Sequence, residues 1–295
     1  MSRKISFIVN PIAGTKNKRQ IVAMIRSLVR SDSRNYKLLE TAYAGHAEQL
    51  ATDSDADVVV AVGGDGTVNE VARALVGTNK TLGILPCGSG DGLALHLGIS
   101  RNPKKALQTI LDGRVAIIDY ALCDHHPYFC TCGMGLDAVV SHRFANAAKR
   151  GLSTYVVEAF KAWRTFLPEH YIIRVDGKVV WDGDAAIVSV CNANQWGNRA
   201  LIAAGASVAD GRLDVVVVSP FRLWQAPAMV LALFAGKVRS CKKVHCFSGQ
   251  NVDIIRDASG PIHRDGDSFV ASDHIQVNLL MHQLRVIVPD NQRNI

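Results

Sequence analysis

A run of small and β-branched residues, Val58-Val-Val-Ala-Val62, leads directly into Gly63-Gly64-Asp65-Gly66-Thr67-Val68-Asn69-Glu70. Glycines at such a position let a phosphate approach the backbone closely. A helix opening there turns unpaired N–H groups and a favourable dipole toward the anion. Thr67 and Asn69 add side-chain donors. Asp65 alone would repel phosphate, so its presence suggests a Mg²⁺ ion or an ordered water between it and a nucleotide. The bland alternative is a tight turn in which Asp65 caps the helix. Two further loops raise the odds of chemistry. Gly83-Ile-Leu-Pro86-Cys-Gly88-Ser89-Gly90-Asp91-Gly92 has the same glycine-rich character, and Asn10-Pro11-Ile-Ala-Gly14-Thr15 closes the first apolar run.

The elements that must carry these loops are legible in the apolar periodicity. Ile5–Val9, Tyr36–Thr41, Val58–Val62 and Thr81–Leu85 read as strands. Between and after them, Ile21, Val22, Ile25, Leu28 and Val29, then Val68, Val71, Ala72, Leu75 and Val76, recur at helical spacing. This alternation predicts a parallel sheet covered by helices, whose strand C-termini lie on one edge, so the three loops can converge on one ligand. From about residue 114 the pattern changes. Val115–Leu122, Tyr128–Cys132, Tyr171–Val175, Lys178–Trp181, Ala185–Cys191, Leu213–Val218, Val252–Ile255, His274–Leu279 and Leu284–Val288 read as strands, interrupted by helical stretches at 138–166 and 221–234. The expected fold is a parallel α/β nucleotide-binding domain over residues 1–121, then an antiparallel β-sandwich over 122–285.

Composition narrows the function classes. The chain of 295 residues is 48% hydrophobic, enough for two cores. Its longest apolar segment, Ala226 to Ala235, falls well short of the roughly 18 residues of a membrane span. The Met-Ser-Arg-Lys start lacks the features of a secretory signal, which places the protein in the cytoplasm. Seven cysteines, an odd count without a C-x-x-C pair, argue against a disulfide framework or a zinc site. The net charge of +7 suits an anionic partner, whether nucleotide, membrane surface or nucleic acid. Lys237, Arg239, Lys242 and Lys243 form a local basic cluster, either a solvated loop or a contact for anionic lipid headgroups. No P-loop and no dinucleotide fingerprint are present. His263-Arg264-Asp265 has the look of a protein-kinase catalytic loop, but Val270 stands where that loop needs asparagine, so the match is chance.

Five segments, in order, resemble the diacylglycerol kinase and sphingosine kinase catalytic-domain family, most closely its small bacterial lipid kinases. They are Asn10-Pro-Ile-Ala-Gly14, Gly63 to Glu70, Gly83 to Asp91, Asp210-Gly-Arg-Leu-Asp214 and Asp265-Gly266-Asp267. The resemblance implies an ATP-binding first domain, a second domain that helps bind lipid, a reaction in the cleft between them, and a tail at about 286–295 that returns to the first domain. It assigns ATP contacts to Asn10, Gly14, Thr41, Gly63, Gly64, Asp65, Gly66, Thr67, Asn69 and Ser89. It gives a structural Mg²⁺ to Asp210 with the main-chain oxygens of Ser207 and Arg212, and links Asp91 and Asp119 to that metal through water. It makes Asp267 the general base, with Asp65 the next candidate. Gly88-Ser89-Gly90-Asp91-Gly92-Leu93-Ala94 is nearer the sphingosine-kinase run than the usual bacterial one, which keeps a sphingoid base beside diacylglycerol as acceptor.

The expected activity is therefore ATP-dependent, Mg²⁺-assisted phosphorylation of a lipid hydroxyl. The expected partners are a lipid substrate and a transient peripheral contact with the inner membrane surface, with no nucleic acid; a homodimer stays open. A soluble-substrate kinase of the NAD kinase type and a non-catalytic nucleotide- or lipid-binding regulator are the alternatives.

Overall fold

The structure, a computed structural model, describes residues 3–12, 18–32, 35–145 and 152–292. Gly14, assigned above to the nucleotide site, lies outside the described residues. The chain forms two compact units, one of Met1–Asp119 and Met281–Ile295, the other of Tyr120–Leu280.

The first unit alternates strands and helices: β1 (Ile5–Val9), α1 (Lys18–Ser31), β2 (Tyr36–Glu40), α2 (His46–Thr52), β3 (Val58–Gly63), α3 (Asp65–Leu75) and β4 (Thr81–Pro86), then α4 (Gly92–His96) and α5 (Pro103–Asp112). The strands lie parallel in the order β2-β1-β3-β4. Every residue of β1, β3 and β4 is buried. Strands covered on both faces read as continuous apolar runs, which is why Val58–Val62 lacks alternation. α3 buries Val68, Val71, Ala72 and Leu75, the predicted helical face. α5 is started by Asn102, which accepts the N–H groups of Lys104 and Lys105, and by Pro103 in the first turn.

β5 (Arg114–Cys123) leads into the second unit, which continues with β6 (His126–Tyr128), β7 (Thr131–Gly135), α6 (Leu136–Ala145), α7 (Leu152–Thr165), β8 (Glu169–Val175), β9 (Lys178–Ala185), β10 (Ile187–Cys191), β11 (Leu213–Val218), α8 (Ala226–Phe234), β12 (Val244–Gly249), β13 (Asn251–Arg256), β14 (Gly260–Arg264), β15 (Asp267–Ala271) and β16 (His274–Val288). One antiparallel sheet runs β12-β11-β10-β7-β14-β15. The other has β8 between β13 and β9, with the first part of β16 on β13. Met134, Val188, Val190, Val215, Val217 and Ile262 from the first sheet share a core with Tyr171, Ile173, Val252, Ile254, Ile275 and Val277 from the second. Alternate residues of β11, Val216 and Val218, point the other way into a second apolar cluster with Ile202, Val238 and Val244. The fold is thus the expected α/β domain with an antiparallel sandwich-like partner.

Two details differ from the sequence reading. β12, β14 and β15 are strands it did not include. The segments 274–279 and 284–288 are one continuous strand rather than two. The reason lies at His282, which takes a φ of 55°. Its N–H turns onto the buried Asp119 carboxylate at 2.7 Å, so the chain passes the irregularity without a turn. Beyond it, Arg285 and Val286 pair in parallel with Thr81 and Leu82 of β4.

Candidate functional site

In the first unit the C-terminal ends of β1, β3 and β4 meet as one interlocked cluster. Asn10 donates through Nδ2 to Thr67 Oγ1 at 3.1 Å, while its Oδ1 accepts the N–H of Ile12. Asp65 Oδ2 accepts the N–H of Asp91 at 2.9 Å and Oδ1 accepts that of Gly92 at 2.7 Å. Asp91 Oδ1 in turn accepts the N–H of Gly88 at 2.8 Å. The glycines are largely explained by this packing. A Cβ on Gly63 would strike the Thr67 side chain, one on Gly64 would press on Gly88, and one on Gly90 would strike the Asp65 carboxylate. Gly66 is different: a Cβ there would meet nothing, and the residue is exposed. Ser89 is also exposed, whereas Thr41, Thr67 and Asn69 are buried. The structure therefore brings together Asn10, Gly63, Gly64, Asp65, Gly66, Thr67 and Ser89. Thr41 joins them through its N–H bond to Val9 at the end of β1.

The electrostatics of this cluster are those of acids withdrawn from water, with Asp91 buried and Asp65 half-buried. Burial pushes the Asp65 carboxyl up, against the pull of the Gly92 and Asp91 amides. Burial also pushes Asp91 up, with the neighbouring Asp65 charge adding to it. Arg101 partly offsets both: its Nε sits 3.0 Å from Asp91 Oδ2, and its Nη2 donates to the carbonyls of Ser89 and Gly90. Sequence reasoning missed Arg101, because nothing in periodicity points from the connection between α4 and α5 back to a loop ten residues earlier. It also missed that Glu70 accepts the N–H groups of Gly45 and Ala47, fixing the start of α2.

In the second unit, Asp265 and Gly266 form the two-residue loop between β14 and β15, where Arg264 pairs with Asp267. Their φ values of 50° and 92° are those of a type I′ hairpin, which calls for this Asp-Gly sequence. The Asp265 carboxylate accepts three backbone amides, those of Phe129, Cys130 and Thr131, at 2.7–2.9 Å. The carbonyl of Gly266 accepts from Ser141 Oγ at 2.8 Å. Its N–H lies 3.4 Å from His263 Nδ1, and His263 Nε2 lies 3.3 Å from Asp137 Oδ2. That arrangement places the ring proton on Nε2, donated to Asp137. His263 and Asp137 are both buried, and no Cβ fits at Gly133 between them. Burial raises the Asp137 carboxyl, with His263 pulling it back down. Asp267, at the start of β15, is exposed. The sequence reading has His263 only in a chance motif match and does not include Asp137; the cue is Gly133, which faces His263 across the strand pair.

The proposed metal loop is a separate feature of the same unit. Asp210 is exposed and its Oδ1 accepts the N–H of Arg212 at 3.1 Å. The Arg212 side chain turns away onto Ser248, with Nε 2.8 Å from its Oγ. Ser207 Oγ accepts the N–H of Ala209. Among the described residues no group of three or more His, Cys, Asp or Glu side chains is placed to hold a metal ion. The donor set the resemblance assigns, the Asp210 carboxylate with two main-chain carbonyls, is one of hard oxygens, which would suit Mg²⁺ and suit a soft metal poorly. Asp214, closing the same motif, is buried and ion-paired to Arg239.

Comparison with known proteins now places the chain. Residues 4–123 match the diacylglycerol kinase catalytic domain, and residues 130–288 match the YegS C-terminal NAD kinase beta sandwich-like domain. The chain carries a diacylglycerol kinase catalytic domain followed by a YegS C-terminal domain and belongs to the family that these two domains define. A "probable lipid kinase YegS-like" protein of Enterobacter sp. (strain 638) is 26% identical over 256 residues, spanning 84% of this chain and 82% of that one. Among solved structures, a putative diacylglycerol kinase from Bacillus anthracis str. Sterne shares the fold with a TM-score of 0.79 at 22% identity, over 97% of each chain. An NAD kinase from Archaeoglobus fulgidus, solved in complex with ATP, is more distant, with a TM-score of 0.54 at 14% identity over 98% and 95% of the two chains.

Proposed function

We propose that this chain transfers the γ-phosphoryl group of ATP to a hydroxyl of a lipid, with diacylglycerol and a sphingoid base as the acceptor classes. The observation that carries the reading is the interlocked cluster at the ends of β1, β3 and β4. It is rigid through Asn10–Thr67 and Asp65–Asp91–Gly92, yet Gly66 at the start of α3 stays open to an incoming phosphate. The ATP bound by the distant NAD kinase relative supports a nucleotide in this fold.

In this reading Asn10, Gly66, Thr67 and Ser89 orient the phosphates. Asp65 holds the loops in register. The lipid hydroxyl oxygen attacks the γ-phosphorus, the bond to the β–γ bridging oxygen breaks, and ADP leaves. Asp267 takes the hydroxyl proton. Asp210, with the main-chain oxygens of Ser207 and Arg212, would hold Mg²⁺, and when bound the ion supplies charge that neutralises acidic groups around it. Catalysis then rests on positioning rather than covalent chemistry. The test is incubation of the full chain with γ-labelled ATP and, separately, diacylglycerol, monoacylglycerol, a sphingoid base, ceramide and NAD. Label in a lipid bears the proposal out. Label in NAD gives the protein to soluble-substrate kinases, and tight nucleotide binding without transfer gives it to the sensor class.

A further inference from the structure

The segment between Asp214 and Asp253 contains no acidic residue but carries Arg222, Lys237, Arg239, Lys242 and Lys243. Within it lies α8, which is apolar along its whole length yet buries none of its residues. Met229 and Leu233, one helical turn apart, rest on the cluster formed by Val216, Val218 and Val238. The opposite side presents Val230, Leu231 and Phe234 to solvent, with Leu231 72% exposed. Trp224, in the short 3₁₀ turn that precedes α8, is 73% exposed. A solvent-facing surface of this kind on a stable protein marks an interaction site.

We infer that the outer face of α8, with Trp224 and the lysines that follow it, docks on an anionic phospholipid bilayer. The chemistry is that of an interfacial helix. Leucine, valine and phenylalanine enter the acyl boundary, tryptophan sits at headgroup level, and basic residues meet the phosphates. The absence of any acid across the segment removes the repulsion that anionic lipid would otherwise meet. Arg239 is already committed to Asp214, so Lys237, Lys242 and Lys243 carry the attraction. A second copy of the chain is disfavoured as occupant, because pairing two such faces would bring like charges together. No helix among the described residues is long and apolar enough to cross a membrane, so this contact lies on the surface. The inference rests in part on the lipid-acceptor reading, since such an acceptor resides in a bilayer, but it is tested without it.

The experiment is sedimentation of the full chain with vesicles of mixed phosphatidylglycerol and phosphatidylcholine, without ATP. Leu231→Glu with Phe234→Glu should weaken partition at least about tenfold, the loss expected for two inserted apolar side chains. Each of Lys242→Gln and Lys243→Gln should weaken it roughly fivefold, and high salt should abolish the difference. All these side chains are at least partly exposed, and unchanged melting temperatures confirm folding. Partition equal to wild type in both sets of variants overturns the inference. So does a solution dimer that Leu231→Glu converts to monomer, which would give the face to a second copy. Phosphorylation of diacylglycerol in detergent micelles serves as the separate readout. Its failure there, and with a sphingoid base in the same micelles, while vesicle binding stays intact would remove the acceptor reading and leave the docking face standing.

Discussion

The two acidic loops of this protein are built on opposite principles. In the first unit, Asp65 has both carboxylate oxygens taken up by the amides of Asp91 and Gly92, and burial raises it. In the second, the inward-facing work falls on Asp265, which gathers three amides, so that Asp267 two residues later stands exposed on a fixed turn. One loop uses its functional-looking acid as a structural tie; the other divides the two duties between neighbouring acids. A motif acid can thus be present for architecture even where its spacing suggests chemistry.

The contrast is broken most sharply at Asp267. Asp267→Asn should reduce turnover by about 10²–10⁴-fold, the usual contribution of a positioned base, with an unchanged melting temperature. Asp267→Glu should keep measurable turnover. Full activity in the asparagine variant would return the proton-accepting role to Asp65. Asp265→Ala should do the reverse in kind: a stability loss of about 3 kcal/mol in urea unfolding, because three amides lose a charged acceptor. A stability change within experimental error would show that the turn holds without it.

Asp65 should behave as a hybrid. Asp65→Asn leaves one of the two amides facing an NH₂ group, a cost of about 1–3 kcal/mol, together with lower activity. The pH dependence sharpens this. A raised carboxyl binds its proton in the folded protein before the unfolded chain does, so the ionised Asp65 costs stability at neutral pH. That cost is relieved as pH falls through the raised value toward the ordinary carboxylate range. The wild type gains this and the asparagine variant does not. Urea unfolding at a series of pH values should therefore show the gap between them widening in acid; a gap constant with pH would contradict the burial.

The sequence was informative where a single local rule dominates. Fully buried strands such as Val58–Val62 and the helical face of Val68, Val71, Ala72 and Leu75 could be read directly, as could three glycine-rich loops on one sheet edge. What the glycines do could not. Their spacing suggests room for phosphate, whereas Gly63, Gly64, Gly88 and Gly90 mainly make room for neighbouring protein atoms, and Gly66 alone of that group is open. Such contacts join residues some 25 positions apart and leave no periodic trace. Arg101, Asp137 and His263 were illegible for the same reason: each acts through a partner that only the fold brings near.

The smallest expected effect separates support of the Asp265–Gly266 turn from simple core packing. His263 offers two contacts: Nδ1 accepts the Gly266 N–H, and Nε2 donates to Asp137. Asparagine reproduces an acceptor at the position of Nδ1 but does not reach Asp137. Glutamine reaches Asp137 but leaves the Gly266 amide without that acceptor. If His263 positions the turn that presents Asp267, His263→Gln should lose about tenfold in kcat, a value set by one misplaced hydrogen bond, while KM for ATP stays near wild type. His263→Asn should retain more kcat despite the larger void it leaves, because it keeps the contact to the turn. Packing alone predicts the opposite order, since glutamine fills more of the space beside Gly133. Melting temperatures and kcat measured on both variants decide between the two, and equal kcat losses that merely follow the loss of stability would make His263 a core residue only.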